Sequence, residues 1–156
     1  VMTSQFSMIM PIKNAIDMLN VNLMGVFMVS REAAKLMRGN EPGRIINIGS
    51  MATSLEPIGD AIYAATKAGV EKLANVMAKE LSPLNITCNT LAITAIETDM
   101  LNSHSANAQI KIKEIINNLT IPRMANIDDI LNVIDFFASD RSSYITAQTI
   151  YLGGIN

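Results

Sequence analysis

One cysteine, one histidine, no tryptophan and only 17% charged residues distinguish this chain of 156 by what it lacks. A lone Cys88 excludes an internal disulfide and fits a reducing, cytoplasmic setting. With a single histidine and no cluster of Cys, His or carboxylates at ligand spacing, no metal site is expected. Twelve basic residues against 14 acidic ones give a formal net charge of −2, which offers no electrostatic footprint for nucleic acid or an anionic membrane. The longest apolar runs are too short to cross a bilayer. The first residues also lack the basic and apolar regions of a signal peptide. What is present is a globular composition, 49% hydrophobic, long enough for one domain with a real core. The eleven methionines read as adaptable core filler.

Helical and strand patterns alternate along the chain. Residues 11–38 read as one long helix with an apolar stripe of Met18, Leu19, Val26, Phe27, Ala33, Ala34 and Met37. Pro11 suits its first turn, and "RGNEPG" (38–43) ends it. "RIINI" (44–48) reads as a buried strand, 61–81 as a second helix and "ITCNTLAI" (86–93) as the next strand. The stretch 94–122 reads as a mobile polar loop with one or two short helices. Residues 127–138 form a third helix, with Asp128 and Asp129 where acidic groups suit the helix dipole. "AQTIYLGG" (147–154) closes as a last strand and turn. Helices separating short apolar strands imply an α/β fold with a parallel sheet.

"IYAATKAGV" (62–70) sets a phenol four residues ahead of an ammonium, on one helix face. A phenol titrates near pH ~10, and a nearby cation favours its anion. Tyr63 and Lys67 could thus form a tuned acid/base pair, although this stretch alone is more simply a half-buried tyrosine beside a solvated lysine. Ser50 falls just past the carboxyl end of a predicted parallel strand, the edge where open α/β sheets bind ligands. Asn22 interrupts an apolar helical stripe, where an asparagine competes with the backbone for hydrogen bonds. Singly, each has an ordinary explanation. The joint pattern Asn22, Ser50, Tyr63, Lys67 is far less simply accidental.

From about Asn14 to its end, the chain resembles the short-chain dehydrogenase/reductase family. The matched features are Asn22 in "NVNLMGVF", Ser50 ending "GRIINIGS", the Tyr-x-x-x-Lys of "YAATK" and the thirteen-residue gap from Ser50 to Tyr63. "NTLAITAIETDM", "IPRMA", "FFASDRSSYITAQT" and "LGG" agree in register. Within the family, the chain looks most similar to 3-oxoacyl-thioester (acyl-carrier-protein) reductases. The resemblance implies an enzyme that interconverts a carbonyl and an alcohol by hydride transfer with NADP or NAD, NADP being preferred. It assigns Tyr63 to proton exchange with the substrate oxygen and Ser50 to a hydrogen bond on that oxygen. Lys67 would lower the tyrosine pKa and hold the nicotinamide ribose. Asn22 would hold a water linking Lys67 to solvent. Backbone groups of Ile96 and the hydroxyl of Thr98 would bind the nicotinamide carboxamide.

Two features depart from the family pattern. Ile93 and Thr94 stand where relatives usually carry Pro-Gly, and a β-branched threonine crowds a backbone that should approach the nicotinamide closely. No Gly-rich phosphate loop precedes a strand–helix unit, and the Asn-Asn-Ala-Gly segment is missing. Residues 1–156 are therefore expected to form the catalytic, C-terminal half of one doubly wound (Rossmann-type) domain, without its nucleotide-phosphate half. The favoured account is a piece of a complete enzyme. The others are a second polypeptide that supplies the other half and a truncated, non-catalytic relative acting as an oligomerising interaction module.

The remaining candidates are bland. His104 reads as an exposed loop residue and Cys88 as a small buried hydrophobe. No histidine is placed to activate Ser50, so a serine-hydrolase reading has no support. Met24, Gly25 and Met28 on the first helix, with Ala64, Ala65, Ala68 and Gly69 on the second, leave more apolar surface than one buried face needs. That pattern, like the family, implies a homodimer or homotetramer acting on a small-molecule or acyl-thioester carbonyl substrate.

Overall fold

The computed structural model describes residues 1–39, 41–96, 113 and 116–154. Among the described residues, three parallel strands form the sheet in the order β1 (Gly43–Ser50), β2 (Ile86–Ile93) and β3 (Thr149–Tyr151). β1 and β2 pair in register from Gly43 opposite Ile86 to Ser50 opposite Ile93, so their carboxyl ends finish level. Thr90 to Ala92 then pair with Thr149 to Tyr151.

Two apolar clusters cover the two faces of the sheet. On one, Ile45, Ile86 and Cys88 pack with Ala34 of α2 (Val26–Met37) and with Ala74, Met77 and Ala78 of α4 (Ala61–Leu81). On the other, Leu91 packs with Ile130, Val133 and Phe137 of α5 (Ile127–Ala138), supported by Ile46, Ile93 and Ile150. The period-2 alternation of the strands feeds both clusters. The α/β, doubly wound expectation therefore holds for the part of the sheet described.

The first long helix is not uniform. It runs as α1 (Ile12–Met18), a π-helical turn over Leu19–Gly25 and then α2. Pro11 caps it from outside, in extended backbone, rather than entering the first turn. The wider π pitch rotates the buried stripe. Met18, Asn22, Ser30 and Ala34 turn inward, whereas Leu19 and Phe27, expected inside, are exposed. Ser30 is buried because it serves a polar trio: its hydroxyl donates to Asn47 Oδ1 at 3.2 Å, and Asn47 Nδ2 lies 3.5 Å from Cys88 Sγ.

Elsewhere the elements follow the sequence closely. α5 starts on a capping box, with Asn126 Oδ1 accepting from the Asp129 amide at 2.9 Å and Asp129 Oδ2 accepting from the Asn126 amide at 2.8 Å. Cys88 is fully buried, and burial pushes its thiol up to about 11. Most of the polar stretch 97–115, His104 included, lies outside the described residues. Among the described residues no helix is long and apolar enough to cross a membrane, and no group of three or more metal-ligating side chains occurs.

Candidate active site

Ser50 is buried and closes β1 as its last residue, rather than lying just past it, because the strand runs two residues beyond the 44–48 that the sequence suggests. Its Oγ accepts the Ala52 amide at 3.2 Å, at the start of the short helix α3 (Ala52–Leu55). The hydroxyl proton itself has no acceptor among the described residues, so Ser50 is oriented and still able to donate. Gly49 makes room for this strand end: a Cβ there would stand 2.9 Å from Thr90 Cγ2 and 3.3 Å from Ala92 Cα.

Tyr63 and Lys67 lie one turn apart near the start of α4. Lys67 Nζ is 5.9 Å from the centroid of the Tyr63 ring. The same ammonium donates to Ile48 O at 2.9 Å, two residues before Ser50. This bond ties the helix bearing the phenol to the strand bearing the serine. Burial holds the Lys67 ammonium below the usual lysine range. Two further protons of the ammonium remain for other acceptors. The Tyr63 hydroxyl has no partner among the described residues.

Asn22 sits in the π-helical turn, a distortion that often marks functional positions. Its carboxamide accepts from Val1 N at 2.8 Å and donates to Val1 O at 2.7 Å. Nδ2 also reaches Thr66 Oγ1 at 3.3 Å, and Thr66 Oγ1 donates to Tyr63 O at 2.7 Å. Asn22 thus meets the Tyr63 turn through Thr66 rather than touching Lys67 directly. One lone pair of its Oδ1 stays open. The close crossing of the two helices depends on Gly69, where a Cβ would lie 3.1 Å from Leu23 Cδ1. Gly69 therefore works within the subunit and is not free surface.

Thr66, a threonine between tyrosine and lysine, carries no signal in the sequence until the crossing helix brings Asn22 to it. Ile96, expected to bind the nicotinamide carboxamide, forms a parallel bridge with Ala125, and the Ala125 amide donates to Ala95 O at 3.0 Å. Thr98 lies outside the described residues. Thr94 has a buried Oγ1 without a hydrogen-bond partner among the described residues. It lines a cavity of about 160 Å³ with Ile121, Arg123, Ala125, Asp129 and Leu152. Arg123 and Asp129 form a two-pronged ion pair at that cavity, at 2.7 and 2.9 Å.

A family model described as enoyl-(acyl carrier protein) reductase matches residues 5–155. The 3-oxoacyl-[acyl-carrier-protein] reductase FabG of Aquifex aeolicus is 35% identical over 138 residues, covering 88% of this chain and 54% of that protein. The protein of the same name from Staphylococcus epidermidis is 36% identical over 138 residues, with 88% and 55% covered. The chain thus spans about half the length of the curated relatives it matches. Among solved structures, sorbitol-6-phosphate 2-dehydrogenase SrlD from Erwinia amylovora superposes with a TM-score of 0.88 at 28% identity, over 99% of this chain and 64% of that one. A gluconate 5-dehydrogenase from Burkholderia cenocepacia J2315, in complex with NADP and tartrate, gives 0.88 at 26%, over 99% and 60%. The chain belongs to the short-chain dehydrogenase/reductase family, close to the 3-oxoacyl-[acyl-carrier-protein] reductases.

Proposed function

We propose that this chain carries the proton-transfer half of an NAD(P)-dependent oxidoreductase that interconverts a carbonyl and an alcohol, with a 3-oxoacyl thioester as the substrate class. The observation that carries the reading is the bond from Lys67 to Ile48 O, which gathers the ends of α4 and β1. Tyr63 and Ser50 then present two hydroxyls without acceptors of their own. In reduction, Ser50 donates a hydrogen bond to the substrate oxygen and Tyr63 delivers the proton. In oxidation, Tyr63 takes the proton back. The Lys67 ammonium stabilises the phenolate left after each delivery. The relatives' printed names support a 3-oxoacyl thioester over a polyol, since both curated proteins bear that activity in name.

Lys67 fits one end of a nicotinamide dinucleotide, since its ammonium retains protons for ribose hydroxyls, whereas the β-branched Thr94, just past the end of β2, crowds that end. NADP is preferred to NAD, and either bound nicotinamide would supply the hydride. No Gly-rich loop in this sequence offers a cradle for the pyrophosphate, and the N-terminus of α5 is closed by its own capping box. Catalysis with a dinucleotide therefore needs a phosphate cradle that the described residues do not supply. The test is NADPH oxidation, followed by absorbance, with a 3-oxoacyl thioester and with a ketose, the carbonyl partner of a polyol, in the complete or complemented enzyme. Turnover of the ketose alone would overturn the substrate assignment, and turnover of neither would overturn the enzyme reading in favour of an oligomerising interaction module.

A further inference from the structure

Three side chains outside the Tyr63–Lys67 pair form a bar across the carboxyl ends of all three strands. Glu71 lies one turn beyond Lys67 on α4. Its Oε1 accepts from Thr53 Oγ1 at 2.9 Å, and its Oε2 accepts from the Tyr151 hydroxyl at 2.7 Å. Thr53 sits in α3, the turn that follows Ser50, and its one hydroxyl proton also faces Ser50 O at 2.9 Å. Tyr151 ends β3, on the far side of the sheet from β1.

The register explains how one carboxylate reaches so far. Gly49, Ala92 and Tyr151 are lateral neighbours on the three strands. The two small residues, Gly49 and Ala92, stand beside the one large one, and the Tyr151 hydroxyl reaches the Glu71 carboxylate on α4. Each oxygen of the carboxylate serves a different donor, so the charge is engaged on both sides.

We propose that Glu71 is a positioning residue: through Thr53 and Tyr151 it holds the Ser50-bearing turn and the end of β3 in fixed relation to the helix that carries Tyr63 and Lys67. Its effect on turnover rests on the reductase reading above, whereas the mechanical clamp does not. Glu71 touches none of the groups assigned to the substrate oxygen. Its consequence is the placement of Ser50, and misplacement of a catalytic group by about 1 Å costs rate even when the group itself is intact.

Hydrogen exchange reads the clamp directly. The amides of Ser54 and Leu55 donate to Met51 O, and that of Glu56 donates to Ala52 O, so all three report on the turn. In Glu71→Gln and in Thr53→Val their exchange should speed up about tenfold, the size expected for one lost hydrogen bond, while amides in the middle of α4 keep their protection. The double variant should fall short of the product of the two single accelerations, because the Thr53–Glu71 link is lost only once, while Thr53→Val also removes the bond to Ser50 O and Glu71→Gln also alters the Tyr151 arm. Thr53→Ser, which keeps the hydroxyl, should restore the native rate. Tyr151→Phe removes the other arm without touching the turn and should give a smaller acceleration of the same amides. In the complete enzyme Glu71→Gln should lower kcat about tenfold with cofactor KM unchanged, again with Thr53→Ser near the unsubstituted value. Native exchange in both Glu71→Gln and Thr53→Val, or accelerations that multiply in the double variant, would overturn the clamp. Exchange decides this whether or not turnover is seen, and absence of turnover in the unsubstituted enzyme counts against the reductase reading alone.

Discussion

Lys67 donates from helix α4 to the main-chain carbonyl of Ile48 in strand β1, at 2.9 Å. In a parallel ladder, alternate residues of a strand bond to a given neighbour. Met51 N donates to Ile93 O, so the polar groups of Ile48, three residues earlier, face away from β2. The ammonium thus occupies the edge of β1 that β2 does not use. That placement leaves Lys67 beside the Tyr63 ring and beside the end of the strand that carries Ser50.

Tyr63→Phe keeps the ring and loses only the transferable proton. In the complete enzyme it should cut kcat by about 10² to 10⁴, with cofactor affinity little changed. Lys67→Ala should damage both rate and cofactor binding, because one ammonium serves both. Equal loss of cofactor affinity in the two variants would reverse the roles assigned here.

The 156-residue chain should not bind a nicotinamide dinucleotide with useful affinity by itself. The ribose and carboxamide contacts lack the Gly-rich phosphate cradle that dinucleotide affinity ordinarily needs. Calorimetric titration with NADH and with NADPH checks this, and micromolar binding of either would contradict it.

Thr66 is fully buried and bridges Asn22 to the Tyr63 carbonyl. Thr66→Val preserves shape but strips one partner from each group, at a cost of about 1–3 kcal/mol. Urea unfolding of this variant beside Thr66→Ser measures it. Equal stability of the two would show that the hydroxyl is dispensable.

Asp129 gives the fold an acid-sensitive contact. The hydrogen bonds from Arg123, and then from the Asn126 amide, lower its carboxyl to about 2. An unfolded aspartate titrates near ~3.9. A depressed folded-state pKa contributes stability above the unfolded value, and that contribution fades as pH falls from ~3.9 through about 2. Asp129→Asn should therefore lower Tm at pH 7, with the difference from the unsubstituted protein closing by about pH 2. Thermal unfolding across that range is the measurement, and a pH-independent difference would place the effect in the cap geometry rather than the charge.

Met24 and Met28 are 52% and 59% exposed, and Ala65 and Ala68 also face outward, so an apolar surface runs along both helices. A self-complementary face of this kind supports a two-fold dimer. Light scattering at micromolar concentration should give a dimer or tetramer mass, with Met28→Glu and Ala68→Glu returning it to the monomer. A monomer mass for the unsubstituted chain would sink the idea.

Much of this protein was legible in the residues alone. The helices over 61–81 and 127–138 and the strand over 86–93 have the bounds their patterns indicated, because each is closed by local chemistry: "SPLN", the Asn126 box, or a β-branched run. The shared helix face of Tyr63 and Lys67 was legible from spacing, since a helix repeats every 3.6 residues whatever packs on it, whereas Asn22 and Ser50 drew their weight from the family resemblance. The tertiary structure decided what sequence distance hides. The π-helical turn at Leu19–Gly25 swings Leu19 and Phe27 outward and Asn22 inward, a rotation that no local pattern encodes. Thr66 gains a role only because Gly69 lets Leu23 come close. Glu71 meets Tyr151 across eighty residues of chain because strand register aligns Gly49, Ala92 and Tyr151 beneath one helix. Local periodicity is a property of the backbone, whereas these contacts arise from how separate elements pack, and only the folded chain specifies that.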